Sequence, residues 1–493
     1  MKTPSLTMSG GAVSALPNRR TALLAGAAGL VGASQSARAA TAAGGPVVDV
    51  LVLGAGIAGL HAARLLQQQG LSVQVLEGSG RVGGRCWTAR DVPGRPELGA
   101  GTVGAGYGRV RANAADLGVE LVEPPPGSRD LVGSGPAAYS VYGQPVSRTP
   151  WASSPLNRLA PSEMMKTPSQ LISYYLNQPS GLQDLGDWLK PEFAWLDQLS
   201  LRQYFQKLGA SPEALRLMDV HSPGTSLDDA NALHFVRRTL YYGWESRAGK
   251  AQRVKGGTSA LTDAMAASLQ RPVQLNRFVQ KIQAGDRSVE LRCQDGSVHR
   301  ARACISTMPF AVLKNIQVDG KVPALQRAAW RAVRHTDVVQ VFLKVEQPYW
   351  KQDGAAAEMW TDGPVERFFH LPAENEPHGI VGAYISGDGV DEIRHLSPAA
   401  MGRYVVDTLA RLRPSSRGQV TVTHVHHWGA QPGARGHIAS YSPGDIGRYE
   451  NILQQPAGAL HFAGDALGRT HVGLEAACES AERTAMAVLD QLG

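Results

Sequence analysis

The stretch that decides the fold is VDVLVLGAGIAGLHAARLLQQQGLSVQVLE, residues Val48–Glu77. Asp49–Leu53 is an apolar run rich in valine and leucine, as expected of a buried parallel strand. Gly54, Gly56 and Gly59 follow as G-x-G-x-x-G, at the point where an apolar-faced helical pattern begins. Strand, glycine-rich turn and helix in this order predict an α/β fold whose helix N-terminus meets a phosphate group.

The three glycines have separate roles in such a turn. Gly54 allows the tight turn, Gly56 lets the backbone approach a pyrophosphate, and Gly59 lets the helix lie close to the strand. A second strand is predicted over Ser72–Leu76, and Glu77 ends it, 18 residues after Gly59. An acid at this position can hydrogen-bond both ribose hydroxyls of a dinucleotide. An ordinary glycine-rich turn does not explain Glu77, so the stretch predicts dinucleotide binding.

The next segment selects which dinucleotide is bound. Gly80–Arg85 reads GRVGGR and resembles x-R-x-G-G-R, the second fingerprint of flavoproteins with two dinucleotide-binding domains. In those proteins the arginine and the glycine backbone approach the FAD diphosphate. An NAD site does not need this fingerprint, so the predicted cofactor is FAD.

The C-terminal end of the chain contributes to the same predicted site. Leu460–Asp465 is a short apolar strand ending in Gly464-Asp465, and in this class the acid reaches the ribityl and pyrophosphate part of FAD. Val472–Leu489 is predicted to be a helix whose N-terminus faces the flavin pyrimidine ring. The cofactor domain is therefore predicted to be discontinuous. The FAD-binding segments are 46–110, 253–307 and 415–493, and the substrate-domain segments are 111–252 and 308–414.

Length, composition and charge limit the classes of protein to which this chain can belong. The chain has 493 residues, 43% hydrophobic and 18% charged, which suits two or three globular domains. Residues 1–39 hold four basic residues and no acid, so without them the formal charge falls from +7 to +3. That charge is too mild to indicate nucleic-acid binding. No apolar run in the mature chain is long enough to span a membrane, and none of the four cysteines has metal-ligand spacing.

The N-terminus carries a targeting pattern. Arg19-Arg20 precedes the apolar stretch Thr21–Ala33, and Ala37–Ala39 offers an A-x-A cleavage site. This resembles a twin-arginine export signal, which predicts removal of residues 1–39 and a periplasmic or secreted mature protein. The alternative is a disordered alanine-rich tail with a chance pair of arginines.

Several motifs together make the chain similar to the flavin-containing amine oxidase family, which includes monoamine oxidase, L-amino-acid oxidase and bacterial nicotine-type amine oxidoreductases. The resemblance runs from about residue 46 to 493. It implies a Rossmann-like FAD domain beside a substrate domain of mixed sheet plus helices. It also implies hydride transfer from a carbon next to an amine nitrogen to flavin N5, giving an imine that hydrolyses. The motifs that carry it are Gly54–Glu77, Gly80–Arg85, Glu97–Gly104, Lys255–Thr258, Gln347–Trp350 and Phe462–Arg483.

Two positions where family members differ refine this expectation. Amino-acid oxidases carry an arginine for the substrate carboxylate where Thr102 stands, so Thr102 favours an amine over an α-amino acid, unless nearby Arg109 substitutes. The family lysine that contacts flavin N5 through water aligns with Gln340, or with Lys344 if the alignment is locally shifted. Glutamine can hold a water but carries no charge to help reduce O₂. A periplasmic cytochrome or quinone-like acceptor is therefore favoured over O₂.

Further positions concern the substrate pocket. The two aromatic walls that flank the amine in many relatives align with Ile438 and Leu474, so a simple alkylamine is not sandwiched. His437 aligns with the cysteine that bonds the flavin in monoamine oxidases, and a buried, hydrogen-bonded histidine is the favoured interpretation. His471 lies near the predicted flavin, where it either polarises the ring or caps the last helix.

The sequence thus predicts an exported FAD-dependent amine oxidoreductase with no metal site. The alternatives are an enzyme of the same fold acting on a phenolic, alkene or polyene C–H, and a flavin-binding protein without turnover. Predicted catalytic residues are Gln340, His437 and His471. Predicted cofactor-binding residues are Gly54, Gly56, Ala58, Gly59, Glu77, Gly84, Arg85, Gly101, Thr102, Val279, Gly464, Asp465 and Leu474.

Overall fold

The computed structural model describes residues 48–124, 137–147, 149–220, 225–373 and 375–493. The predicted export signal, 1–39, lies outside these ranges. In chain order the strands are β1 Val48–Leu53, β2 Val73–Leu76, β3 Leu121–Val122, β4 Ala138–Ser140, β5 Arg253–Val254, β6 Val279–Ala284, β7 Val289–Cys293, β8 Val298–Ser306, β9 Gln317–Gly320, β10 Arg334–Thr336, β11 Val338–Val345, β12 Met359–Thr361, β13 Arg367–Ala373, β14 Glu376–Ser386, β15 Val420–His427, β16 Ile438–Ser440 and β17 Leu460–Phe462.

Helices cover both faces of the first sheet and form most of residues 151–248. In the part of the chain that the structure describes, no helix is both long and apolar enough to cross a membrane. In chain order the α-helices are α1 Ile57–Gln68, α2 Gly108–Asp116, α3 Pro168–Leu176, α4 Ala194–Asp197, α5 Leu201–Lys207, α6 Pro212–Val220, α7 Ala232–Ala248, α8 Thr258–Ala267, α9 Phe310–Leu313, α10 Ala324–Ala332, α11 Tyr349–Asp353, α12 Asp388–Asp391, α13 Pro398–Leu412, α14 Asp445–Leu453 and α15 Gly473–Leu492.

The first sheet joins segments that are distant in sequence. Its strand order is β2-β1-β8-β7-β6-β9, and β17 also pairs with β8. Strands β1, β2, β8 and β17 run parallel, and all six residues of β1 except Asp49 are buried, as its valine-rich pattern predicts. This confirms the Rossmann-like α/β class, and it brings the glycine-rich turn after β1 close to the Gly464-Asp465 turn after β17.

Helices α1 and α15 pack against each other over this sheet. The apolar positions of α1 are buried except for Leu65, which is partly buried, and Cys478 on α15 belongs to the same core. All four cysteines are buried free thiols. The N-termini of α1 and α15 are thereby fixed by a shared apolar core rather than by loops.

The second sheet has the order β15-β11-β14-β13-β12-β4. The central strand β11 spans Val338–Val345, as the sequence predicts, and its antiparallel neighbours on either side are β14 and β15. Cross-strand pairing places His426, Gln340, Tyr384 and Arg367 in one row on one face of the sheet. This face turns toward the apolar cluster that contains Trp428.

Some sequence-based boundaries differ from the structure. The strand expected over Met359–Phe369 is two strands, because the chain turns at Gly363 between β12 and β13. Strand β9 joins the first sheet and β15 joins the second, although each falls in the other predicted domain segment. Sheet membership depends on pairing between distant strands, which local periodicity does not encode.

Candidate active site

A cavity of about 800 Å³ extends from the end of β2 to one face of α7. Its wall is built from the β1–α1 turn, the segment after β2, the loop between β15 and β16, the start of α15 and α7. This volume lies in the upper part of the range for small-molecule and cofactor sites. The cavity therefore has room for a large ligand and lies where the two ends of the chain meet.

The glycine-rich turn has the geometry that close approach by a ligand requires. Gly54 has φ +99°, and a Cβ on Gly59 would lie 2.0 Å from the Gly54 carbonyl oxygen, so both positions need glycine for the fold itself. Gly56 differs, because a Cβ there would meet only the Gly83 carbonyl oxygen, 4.0 Å away. Gly56 lines the cavity, whereas Gly59 packs behind it. The space beside Gly56 therefore holds no protein atom and is available to a ligand.

Glu77 lines the cavity beside the β1–α1 turn. Its carboxylate accepts hydrogen bonds from the backbone N–H groups of Ala55 and Ser79, both at 2.8 Å. These bonds hold the side chain beside the glycine-rich turn and keep its oxygens at the cavity surface. An acid fixed there is placed to accept from a ribose hydroxyl, as the sequence predicts.

The GRVGGR segment supports the turn and crosses to the C-terminal part of the site. Arg81 donates to the Gly84 carbonyl oxygen at 2.6 Å and stacks 3.6 Å above the Trp87 ring. Arg85 donates to both carboxylate oxygens of Asp465 and, at 2.8 Å, to the His437 carbonyl oxygen. Burial raises the pKa of Asp465, but the Arg85 charge and its hydrogen bonds outweigh this and lower it overall. Arg85 therefore ties the two ends of the chain together.

Most of the predicted cofactor-binding residues lie together on the cavity wall. Gly59, Gly101, Thr102 and Gln340 do not line it. The predicted residues that do line it are Gly54, Gly56, Ala58, Glu77, Gly84, Arg85, Val279, His437, Gly464, Asp465, His471 and Leu474.

Gly101 and Thr102 belong to a supporting layer around Glu97. A Cβ on Gly101 would meet Glu97 Cγ at 3.3 Å, and Glu97 accepts hydrogen bonds from the Thr258 backbone N–H at 2.8 Å and hydroxyl at 2.7 Å. Burial raises the pKa of Glu97, although these hydrogen bonds oppose the shift. The motif at 97–104 thus joins the start of α8 to the site. Within this motif Gly99 and Ala100, rather than Gly101 and Thr102, line the cavity.

Gln340 lies behind the cavity wall. It is 1% exposed, and among the described residues neither of its side-chain polar atoms has a hydrogen-bond partner. His426, opposite it on β15, packs edge-on against Trp87 and Trp428, which do line the cavity. Contact between Gln340 and a ligand through water stays a prediction. Lys344 lies four residues farther along β11, on the same face of the strand. Its Nζ is 3.6 Å from Glu346 Oε1, and it does not line the cavity.

His437 and His471 both reach the cavity but differ in their surroundings. Burial lowers the pKa of His437 to about 4, and its Nδ1 has no partner among the described residues. The His471 Nδ1 lies 3.1 Å from Glu479 Oε2 and 2.8 Å from Thr470 Oγ1. His437 is therefore a neutral wall residue, whereas a carboxylate orients the His471 ring.

The structure contradicts the idea that Arg109 substitutes for an arginine at position 102. The Arg109 guanidinium pairs with Glu475 and Glu482 on α15 and does not line the cavity. Its backbone N–H also donates to Glu475 at 3.0 Å. Two carboxylates on one helix face attract this arginine more strongly than an open pocket, and sequence proximity to Thr102 did not reveal them.

The aromatic surface of the cavity comes from several separate segments of the chain. Trp360, Phe368, Phe369 and Tyr384 belong to the second sheet and the apolar clusters around it, and they do not line the cavity. Ile438 and Leu474 do line it, with no aromatic ring at either position. The aromatic residues on its wall are Trp87, Tyr242, Phe278, Trp428 and Tyr441.

Sequence reasoning missed the contribution of α7. His234, Arg237 and Arg238 all line the cavity, and their i, i+3, i+4 spacing puts them on one helix face. The signal available in the sequence was the polar stripe that these three residues form among the apolar residues in the first half of α7. Such a stripe is equally typical of a helix face exposed to solvent. Only the tertiary structure shows that α7 turns this side toward the cavity.

The residues present fit an FAD molecule. The unfilled space at Gly56 suits a diphosphate at a helix N-terminus, and Glu77 suits the adenosine ribose. Asp465 and the start of α15 lie farther along the same cavity, so a single extended dinucleotide can contact all of these groups.

Three comparisons with known proteins agree with this geometry. The family model for flavin containing amine oxidoreductase matches residues 57–489. Amine oxidase [flavin-containing] B of Sus scrofa is 24% identical, covering 90% of this chain and 86% of the relative. A putative flavin-containing monoamine oxidase of Mycobacterium tuberculosis is 26% identical, covering 90% of this chain and 96% of the relative.

Solved structures share the fold. Wild-type putrescine oxidase bound to putrescine superposes with a TM-score of 0.73 at 23% identity, covering 90% of this chain and 99% of that one. Cyclohexylamine oxidase from Brevibacterium oxydans gives a TM-score of 0.73 at 22% identity, covering 91% of this chain and all of that one (100%).

Proposed function

The chain belongs to the flavin-containing amine oxidoreductase family and is an FAD-dependent enzyme, and from this premise we propose that it oxidises a small-molecule amine at the carbon beside nitrogen. The observation that carries the proposal is the continuous cavity, which joins the dinucleotide turn to a second wall at His471 and α7. A dinucleotide can account for the wall from Glu77 to the start of α15, but not for the α7 side of the second wall. The α7 side provides space for a substrate, as expected of an oxidoreductase.

Gly56, Glu77 and Asp465 would hold the FAD, which when bound would supply the hydride acceptor for oxidation of the carbon beside nitrogen, and the imine formed would react with water. The protein's contribution is to position the amine and to hold its proton. Glu479 accepts a hydrogen bond from the His471 backbone N–H at 3.0 Å and lies beside its Nδ1, which favours the tautomer protonated on Nδ1. His471 Nε2 is then the basic atom that can receive a proton from an ammonium group and leave a neutral amine.

Glu479 stays ionised across this proton transfer. Burial raises its pKa, but hydrogen bonds from the His471 side chain and from the backbone of Arg469 and His471 lower it to about 2. A permanently charged acid beside the imidazole stabilises the protonated ring when it forms. This pairing resembles the orienting role of an acid behind a catalytic histidine.

Two alternatives are distinguished by product identification. An enzyme of the same fold acting on a phenolic, alkene or polyene C–H would convert such compounds and leave amines unchanged. A flavin-binding protein without turnover would convert neither. We expect a carbonyl product with release of ammonia or a shorter amine, detected by mass spectrometry after incubation with a panel of amines and an electron acceptor.

Export of the folded protein is a separate part of the proposal, supported by Arg19-Arg20, the apolar stretch after it and the A-x-A site. Replacing both arginines with lysine is expected to leave the FAD-loaded protein in the cytoplasm, because the twin-arginine pathway requires the pair. Cell fractionation with flavin fluorescence measures this. A double variant that is still processed and periplasmic would point to a general secretory signal.

We also propose that the electron acceptor is a periplasmic cytochrome or a quinone-like compound. The position aligned with the family lysine holds uncharged Gln340, buried behind the cavity wall. A unit charge about 5 Å away is worth about 3 kcal/mol at an effective dielectric of about 20, or about a hundredfold in rate. Stopped-flow mixing of substrate-reduced enzyme should therefore show slow reoxidation by O₂ and faster reoxidation by a soluble quinone. Equally fast reoxidation by O₂ would refute this choice of acceptor.

A further inference from the structure

The wall of the cavity opposite the glycine-rich turn is positively charged. His234, Arg237 and Arg238 form this surface, which we name the α7 basic wall. It adjoins the start of α15, because Arg237 donates to the carbonyl oxygens of Gly468 at 2.8 Å and His471 at 3.0 Å. The basic wall thus lies at the His471 end of the cavity, whereas Glu77 lies beside the β1–α1 turn.

Two members of the α7 basic wall are buried with polar atoms unsatisfied. His234 is 7% exposed and Arg237 is 4% exposed. Among the described residues, both ring nitrogens of His234 and the Nε of Arg237 have no hydrogen-bond partner. Buried polar groups in native proteins are nearly always paired, so atoms of this kind beside a cavity indicate a ligand.

The charges at this wall also lack a direct ion-pair partner among the described residues, although the Glu479 and Glu450 carboxylates act on Arg237 from farther away. Neither Arg237 nor Arg238 forms an ion pair within the described ranges, and Arg237 instead stacks 4.2 Å from the Trp188 ring. Burial lowers the pKa of Arg237 to about 10, which still leaves it charged at neutral pH. A buried cation without a partner anion is costly, so a bound anion would remove a penalty already present.

The other cavity arginines are already engaged. Arg81 is bound to the Gly84 carbonyl oxygen, Arg85 to Asp465 and Arg277 to Asp295. In the described part of the cavity wall, the carboxylates are Glu77, beside the dinucleotide turn, and Asp465. Neither forms an ion pair with the α7 basic wall, which leaves this wall able to take up an anion carried by a ligand.

We infer that the α7 basic wall is an anion-binding subsite, and that the substrate is an amine that also carries a carboxylate or another oxyanion. This rests on the proposed amine oxidation and specifies its substrate class. Arginine offers a planar fork of donors matched to a carboxylate. Arg238 lines the cavity and donates one long hydrogen bond, 3.4 Å, to the Tyr242 hydroxyl, so its other donors can meet a carboxylate. Burial lowers the pKa of His234, so its ring is neutral and one nitrogen carries a proton to donate.

The anion is assigned to the substrate rather than to the cofactor. The FAD diphosphate is accounted for by Gly56 and the α1 N-terminus at the other end of the cavity. The absence of arginine at Thr102 agrees, because the cation here comes from a different element. An anionic group held at α7 and an amine held near His471 predict a substrate that carries both groups in one molecule.

The test compares matched ligand pairs on the FAD-loaded enzyme. Each pair is a linear alkylamine and the ω-amino acid of the same chain length, with an ω-aminoalkylphosphonate as the third arm. Saturation of anaerobic flavin reduction gives the apparent dissociation constant. A non-oxidisable dicarboxylate, followed by calorimetry and by perturbation of the flavin spectrum, measures anion binding without turnover.

The informative variant is Arg238→Gln, with Arg247→Gln on the exposed end of the same helix as the matched control. We expect the ω-amino acid and the dicarboxylate to bind about ten- to hundredfold more weakly to Arg238→Gln, as for a lost charged hydrogen bond. The plain alkylamine should change less than about twofold. Arg238→Glu should reverse the preference in favour of a diamine, which a merely structural role for Arg238 would not produce.

Two outcomes would overturn the inference. One is equal binding of carboxylate and plain amine by the wild-type enzyme. The other is equal loss of FAD and carboxylate affinity in Arg238→Gln, which would assign the wall to the cofactor. If no amine reduces the flavin but the dicarboxylate still binds in an Arg238-dependent way, the amine proposal fails and the anion subsite stands. A better fit for the phosphonate than the carboxylate would identify the oxyanion.

Discussion

Replacing Gly56 with alanine is expected to abolish FAD retention while leaving the apoprotein folded. The added Cβ meets no protein atom closer than 4.0 Å, and Gly56 has an ordinary φ of −72°, so the fold does not require glycine there. The methyl group instead enters the space for the diphosphate. Displacing the diphosphate from two backbone N–H groups, at about 1.5–3 kcal/mol for each charged hydrogen bond, weakens FAD binding at least about a hundredfold.

Gly59, three residues farther along, serves as a contrast, because alanine there is expected to affect folding rather than FAD binding alone. A Cβ on Gly59 would lie 2.0 Å from the Gly54 carbonyl oxygen, so Gly59→Ala should impair folding with or without FAD. Gly108→Ala, at an exposed helix start with no atom within 4 Å of its Cβ, is the neutral control. Flavin content and circular dichroism of the apoproteins measure both effects. Full FAD content in folded Gly56→Ala would show that the diphosphate lies elsewhere.

Replacing Arg85 with methionine is expected to lower the free energy of unfolding by about 2–3 kcal/mol at neutral pH. Arg85 and Asp465 form a bidentate pair with side chains 23% and 25% exposed. Removing one partner of a buried pair costs about 3–5 kcal/mol, because the other charge is left uncompensated. Partial exposure of this pair reduces that loss. Asp465→Asn added to Arg85→Met should restore part of the stability.

The pH dependence of this loss follows from the lowered pKa of Asp465. A group whose folded pKa is depressed contributes stability above its unfolded pKa of about 3.9 and loses it as the pH falls through the folded pKa. In Arg85→Met, burial raises the pKa of Asp465 instead. The difference between wild type and variant should therefore be full near pH 7, and it should become small only as the pH falls through the folded pKa of Asp465, which lies below the unfolded value of about 3.9.

Chemical denaturation across pH measures that difference. Arg90→Met, which breaks the exposed pair with Asp263, is the control and should cost less than about 1 kcal/mol at any pH. A loss in Arg85→Met that does not vary with pH would mean that packing of the arginine stem, not its charge, stabilises the junction.

The cofactor half of the site could be predicted from the sequence because its determinants are local. Gly54, Gly56 and Glu77 follow one another in a strand–turn–helix–strand unit, and each has a fixed role in such a unit. The contribution of Asp465 was accessible through a short strand ending in Gly-Asp. The structure adds that Arg85 ties this acid to the N-terminal segment.

The substrate half could not be predicted in the same way. Gln340 lies on the sheet face that turns toward the site, but Trp428 lines the cavity and Gln340 does not. Strand periodicity predicts which face carries a side chain, but not whether that side chain reaches the cavity. Arg109 is close to Thr102 in sequence yet is taken by two carboxylates of α15. The α7 basic wall depends on which side of one helix turns inward, which is decided by packing between distant segments.

Anaerobic mixing with an amine is the most direct test of the central claim, that this FAD-dependent enzyme oxidises an amine at the carbon beside nitrogen. The account predicts that an amine of the right class bleaches the visible absorbance of the flavin completely, with one carbonyl product per flavin. Deuterium on the carbon beside nitrogen should slow the bleaching, because that bond is the one broken. A flavin that stays oxidised with every amine, or that only a phenolic or alkene compound bleaches, would contradict the account.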